Sequence, residues 1–167
     1  MENASKALIM AASVLLGIMI ISIGVTLFKT FSDFGNATYQ KVEEDKIAEW
    51  NSNYLKYYGT VTTEESKNPI PIQVTAHDIV SVANHAKQNN INYELENLSK
   101  FDENSYYVQV DVDKEINFEK KTEQEKNDFL KNNSLTTENE VKYYVCKEVK
   151  ISSVTKRVMY IRFETQK

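Results

Sequence analysis

The sequence predicts an α+β protein, with a long N-terminal membrane-spanning helix continuing into a small domain built on a roughly four-stranded antiparallel sheet. Three observations carry this: an uncharged apolar run near the N-terminus, helical spacing of aromatic residues beyond it, and period-two alternation in the second half. With 167 residues and a formal net charge of −4 at pH 7, the chain has room for one domain with a core once the anchor is set aside.

Residues 1–6 read as a short tail and residues 7–28 as the transmembrane helix, bounded by Lys6 and Lys29 with no charge between. At about 1.5 Å per residue such a run matches a hydrocarbon core of about 30 Å. It is longer than the apolar part of a secretory signal, and no small-x-small cleavage site follows closely, since Gly35-Asn36-Ala37 lies too far downstream. A retained anchor in membrane lipid is therefore expected. Ser13, Gly17 and Gly24, spaced by four and seven, share one stripe of that helix. Such a stripe lets another backbone approach, which makes it a candidate self-association face, although glycine and serine are also simply common in membrane helices.

Residues 29–59 continue as an outer amphipathic helix. Phe31 and Phe34 are three apart, Ile47, Trp50, Tyr54 and Tyr57 recur at three and four, and Gly59 supplies a stop. Run unbroken over 4–58, the helix would be about 80 Å long, with Gly35 the expected place for a bend. Glu43, Glu44, Asp45 and Lys46 make a solvated face. Residues 60–74, with Pro69 and Pro71, read as a polar connector.

The α+β domain, 75–167, is expected to pack on the outer helix. Thr75 and Asp78 have capping-box spacing before a second helix with Ile79, Val82, Ala83 and Ala86 on its apolar face, and Asn89 and Asn90 suit its end. Ile91, Tyr93 and Leu95 alternate, as do Tyr106, Val108, Val110 and Val112, predicting an antiparallel pair. Thr122 and Glu125 repeat the capping-box spacing ahead of Phe129 and Leu130, predicting a short third helix. Tyr143, Val145, Val149 and Ile151 are placed on one strand face, a turn over 152–156 reverses the chain, and Met159, Ile161 and Phe163 alternate on the return. The expected order is α-α-β-β-α-β-β, with helix and sheet each burying one apolar face.

The chemistry is sparse, and no enzyme is expected. The charge deficit lies beyond the anchor, because Glu2 and Lys6 cancel, so no nucleic-acid partner is expected. Cys146 is the single cysteine, which precludes an internal disulfide, and with His77 and His85 it offers too few soft ligands for structural zinc. His77 beside Asp78 falls in a first helical turn, where capping accounts for both. His85 lies about two turns on and roughly 80° around, so the histidines make no metal pair. Asp111 and Asp113 would share the outward face of a strand, and solvent exposure explains them better than calcium. Cys146 is placed with Tyr144 and Glu148 on the less apolar strand face, as a partly buried small side chain. No cofactor or metal site is predicted.

The plan as a whole, a short tail, a spanning half-helix, an amphipathic outer half-helix, a connector and an antiparallel sheet, resembles type IV pilins. The processing glycine followed by phenylalanine or methionine is missing before the apolar run, as is an acid at the fifth position after such a cut; Glu2 is the only acid near the N-terminus. The stretches Ala4-Ser5-Lys6-Ala7-Leu8-Ile9-Met10-Ala11 and Trp50-Asn51-Ser52-Asn53-Tyr54-Leu55-Lys56-Tyr57-Tyr58-Gly59 also look like those of small anchored proteins of Gram-positive bacteria, a likeness that carries no function. The pilin resemblance implies a structural subunit of a filament or cell-envelope assembly, self-associating through its N-terminal helix. The alternative is a single-span anchored binding module, accessory to a secretion, uptake or signalling complex, whose acidic domain contacts a protein partner. The pilin plan implies an extracytoplasmic domain, whereas Lys29, Lys41 and Lys46 against Lys6 alone favour the cytoplasm under the positive-inside rule.

Overall fold

A computed structural model describes residues 2–63, 66–135 and 140–166. The chain divides into two compact units, Met1–Lys46 and Ile47–Lys167. A long N-terminal helix followed by a small α+β domain is the general plan of the pilins, as far as the order of elements goes.

Helix α1 spans Glu2–Leu55 and passes through Gly35 without a break. In the first unit its apolar side chains stay outside: Leu15 is 72% exposed and Phe28 78%. The polar residues of the run satisfy themselves within the helix. Ser13 Oγ donates to the Met10 carbonyl, Ser22 to Ile18, Thr26 to Ser22 and Thr30 to Thr26, each at 2.9 Å. Hydroxyls bonded this way add no unpaired polar group to an apolar surround. Among the described residues this is one helix long and apolar enough to cross a membrane, and none of its most apolar stretch is buried.

The second unit opens with the last turns of α1, where Tyr54 is fully buried and Trp50 and Leu55 pack against the core. The helix ends at Leu55, a turn before the expected 58, and Gly59 follows at φ +133, a conformation that excludes most L side chains. The expected connector is structured: β1 (Thr60–Thr63) and β2 (Ser66–Pro71) pair antiparallel, with Val61 opposite Ile70. Pro69 and Pro71 are tolerated because a two-stranded ribbon has only edges, so a missing N–H need not break a ladder.

Next, β3 (Gln73–Thr75) enters a second sheet, and α2 (Ala76–Asn92) follows at once. The capping box is present: Thr75 Oγ1 accepts from Asp78 N–H, and Asp78 Oδ2 accepts from Thr75 N–H at 3.0 Å. Ile79, Val82, Ala83 and Ala86 are buried. Asn89 and Asn90 do not end the helix. They lie inside it, and Asn90 pairs with Val108 as a strand would, its Nδ2 donating to the carbonyl and its Oδ1 accepting from the N–H, both at 2.9 Å.

The expected strand at Ile91, Tyr93 and Leu95 is absent: Ile91 is still helical, Tyr93 is the C-cap, and Leu95 N–H closes a turn onto Asn90 O. Three alternating residues at a helix end are equally compatible with its last turn. Strand β4 (Gln109–Val112) therefore has no neighbour there and pairs instead with the final strand, in parallel. A 3-10 turn at Phe118–Lys120 precedes α3 (Glu123–Asn133), which carries the predicted Thr122–Glu125 capping box.

The sheet closes with β5 (Tyr143–Ile151) and β6 (Val158–Thr165), an antiparallel hairpin turning at the expected place. Its order is β3-β5-β6-β4, so the four strands form a mixed sheet rather than the antiparallel one expected. The connection from β4 to β6 contains α3 and β5, long enough to bring β6 back parallel. The predicted face of β5 is corrected in part: Val145 is buried and Val149 packs on the core, as expected. The register shifts between Cys146 and Glu148, so Tyr144 and Cys146 face the core before the bulge and Val149 after it, while Tyr143 and Ile151 are exposed. Ile161 and Phe163 are fully buried as their alternation requires.

Candidate functional sites

The stripe predicted for self-association lies in the first unit. A Cβ added at Gly17 or Gly24 would meet nothing within 4 Å, so neither glycine is needed for packing inside the chain. Ser13 is exposed and its hydroxyl is turned back onto the helix.

In the second unit the titratable residues singled out from sequence are placed apart. Asp78 is used by the α2 cap, and His77 beside it is exposed. Asp111 and Asp113 do not form an outward pair. Asp111 accepts from the Tyr160 hydroxyl, the Asn117 N–H and Gln109, each at 3.0 Å. Asp113 lies past the end of β4 at φ +52 and accepts from Thr165 N–H and its hydroxyl. Both carboxylates tie loops to the sheet. Cys146 is partly buried on the core side, not on the polar face, and burial pushes its thiol up to about 12, where little thiolate exists to attack anything. Among the described residues no group of three His, Cys, Asp or Glu could hold a metal ion.

Two arrangements were missed from sequence. Glu119 is buried, with Oε1 accepting from Tyr107 OH at 2.7 Å and Oε2 from Val110 N–H at 2.9 Å. It caps the open edge of β4, and burial lifts its carboxyl above the usual range. A cavity of about 280 Å³ lies beside it, rimmed by Lys87 and Lys120. Lys120 Nζ is engaged with the Glu96 carbonyl at 3.1 Å.

The second arrangement gathers four segments around Arg157. Its guanidinium lies 3.9 Å from the Trp50 ring centroid, 5.1 Å from Tyr106 and 5.5 Å from Tyr93. Nη1 donates to Tyr93 OH at 3.2 Å and Nη2 to Asn89 Oδ1 at 3.1 Å. Tyr93 and Tyr106 stack at 4.7 Å, and His85 lies 4.8 Å from Trp50 with its Nδ1 3.0 Å from Tyr54 OH. Burial, Arg157 and Lys56 together hold the imidazole below its usual pKa. The arrangement stacks a cation on aromatic faces and leaves part of it accessible. No local spacing announces it, because the contributors come from four segments far apart in the chain.

Compared with protein-family models, curated proteins and solved structures, the chain matches none.

Proposed function

We propose that the protein is a single-pass membrane-anchored structural subunit of a pilin-like filament or cell-envelope assembly, self-associating through its N-terminal helix, with the folded unit on the extracytoplasmic side. One observation carries the reading. The apolar helix of the first unit presents its whole circumference outwards, its glycines open, while the second unit has a core of its own. A helix apolar all round requires lipid or other helices as its surroundings, and small residues in such a helix allow close backbone approach.

The test is Gly17→Leu with Gly24→Leu. Added bulk on the stripe should abolish crosslinked oligomers in intact membranes while insertion persists, since hydrophobicity rises. Leu15→Ala with Ile18→Ala, on other faces, should change crosslinking less. If the double leucine variant crosslinks like the parent, the stripe is not the contact, and an anchored accessory module becomes the better account. Protease cleavage of the folded unit on spheroplasts, with no breakage of the cells, checks the orientation.

A further inference from the structure

The Arg157 cluster has features that packing within the chain leaves unexplained. Among the described residues no carboxylate lies within ion-pair distance of Arg157, Lys56 or Lys156. These are three unpaired cations in a chain whose net charge is −4. Lys56 and Lys156 are exposed, Tyr93 is 46% and Tyr106 43% exposed, and Arg157 is half-buried. Among the described residues the buried Trp50 Nε1 has no acceptor.

We infer that this surface, Arg157 stacked on Trp50, Tyr93 and Tyr106, with the exposed Lys156 next to it in the chain and Lys56 over the Tyr57 ring, docks an acidic peptide segment of a partner protein. Lys56 acts with Arg157 on His85. A guanidinium carries five N–H donors, and among the described residues two directed bonds are made, to Tyr93 and Asn89. Those bonds and the ring stacking fix the fork in place, so an incoming carboxylate meets donors whose ordering cost has already been met. The stacked Tyr93–Tyr106 pair offers flat, half-exposed rings beside the charge, and Trp, Tyr and Arg are the residue types that dominate binding energy at protein interfaces. An uncharged partner would have to strip water from unpaired cations with no compensation. An acidic segment removes that penalty and is drawn in by the two lysines. With the imidazole pKa depressed, the attraction near neutral pH rests on the arginine and the lysines. The inference is independent of whether the N-terminal helices associate.

The chain supplies its own reporter, because Trp50 is its only tryptophan and lies under the Arg157 guanidinium. Full-length protein in neutral detergent micelles is titrated with an oligo-glutamate peptide while Trp50 emission is followed. The expected result is a saturable change that oligo-glutamine does not produce and that high salt weakens. Arg157→Gln should weaken binding by about tenfold or more, the size of an interface hot spot. Because Arg157 also ties Asn89 and Tyr93 together, its variant can lose the fold. The exposed pair Lys56→Gln and Lys156→Gln decides in that case, and should weaken binding several-fold with an unchanged melting curve. Equal responses to glutamate and glutamine peptides, or parent-like binding by the double lysine variant, would overturn the inference. So would a response to phosphatidylglycerol vesicles without one to the peptide, which would assign the patch to anionic lipid.

Discussion

Residues 2–46 and 47–166 use similar side chains to opposite ends. In the first region Leu15 and Leu16 are 72% and 60% exposed; in the second Ile79 and Ile161 are 0% exposed. The difference is not hydrophobicity but its period. The apolar run of α1 has no polar face, so it builds no core inside the chain and needs lipid or other helices around it. In the second region apolar positions recur at helical or strand spacing, and each element leaves one face for water. Backbone polarity is handled differently too: α1 satisfies its groups locally, whereas the second region calls on side chains such as Asn90 and Glu119 to complete a strand edge.

The sharpest way to break the comparison is to charge the first region. Leu16→Lys with Ile20→Lys should release the chain from membranes, because mid-span lysines cost about 2.5 to 3.5 kcal/mol each on insertion scales. Retention of the variant in a carbonate-washed membrane fraction would show that this stretch is not a span.

Truncating one phenylalanine in each region comes next in size. Phe163 is fully buried, whereas Phe31 is 70% exposed. Phe163→Ala should cost about 3 to 5 kcal/mol, and Phe31→Ala should stay within about 0.5 kcal/mol of the parent. Thermal unfolding of the full chain in detergent, followed by Trp50 emission, measures both.

What the sequence revealed follows the range of each interaction. Both capping boxes were legible, because their partners are three residues apart, and so was the β5–β6 hairpin, whose turn joins two alternating strands. The parallel pairing of β4 was not, since Gln109 meets Tyr160 far along the chain and alternation does not encode direction. The register shifts near Lys147 and Lys150 broke the single face expected for β5: Val149 packs on the core as expected, but before the first shift Tyr144 and Cys146 do so, and Ile151 after the second is exposed. β1 and β2 were hidden by Pro69 and Pro71, which argue against a central strand but not against a ribbon. The Arg157 cluster was invisible because it draws on α1, α2, the loop after it and the last turn.

Glu119 tests whether the second region depends on side chains acting as backbone partners. Glu119→Ala leaves the Val110 N–H without its acceptor and the buried Tyr107 hydroxyl with only the longer bond to Asn117 Oδ1 at 3.4 Å, at a cost of about 1 to 3 kcal/mol. Glu119→Gln should cost less, since its carbonyl can serve Val110 and its amide can donate to the Tyr107 oxygen. The pH dependence separates them from a packing effect. Burial raises the Glu119 pKa in the folded state, so the folded state holds this proton more tightly than the unfolded one. The stability of the parent relative to Glu119→Gln should therefore fall as pH rises from the ordinary carboxylate range through the raised value. Parallel stability curves for the two proteins would remove Glu119 from the account.

The smallest effect compares two copies of one device within the folded region. Thr75 and Thr122 make the same capping box: each hydroxyl accepts from an N–H three residues on at 3.2 Å, and each carboxylate returns the bond, at 3.0 Å from Asp78 and 2.8 Å from Glu125. Their surroundings differ. The Thr75 box is partly buried between β3 and α2, a helix with five apolar residues in the core; the Thr122 box is exposed, and α3 buries only Lys126 fully. Water replaces a lost cap at Thr122 but reaches Thr75 less readily. Thr75→Ala should cost about 1 to 2 kcal/mol and Thr122→Ala about 0.5 kcal/mol, the two ends of the range for cap removal. Melting curves of the two variants and the parent suffice to measure this. Equal losses would mean that the capping bonds themselves, not their burial, set the cost.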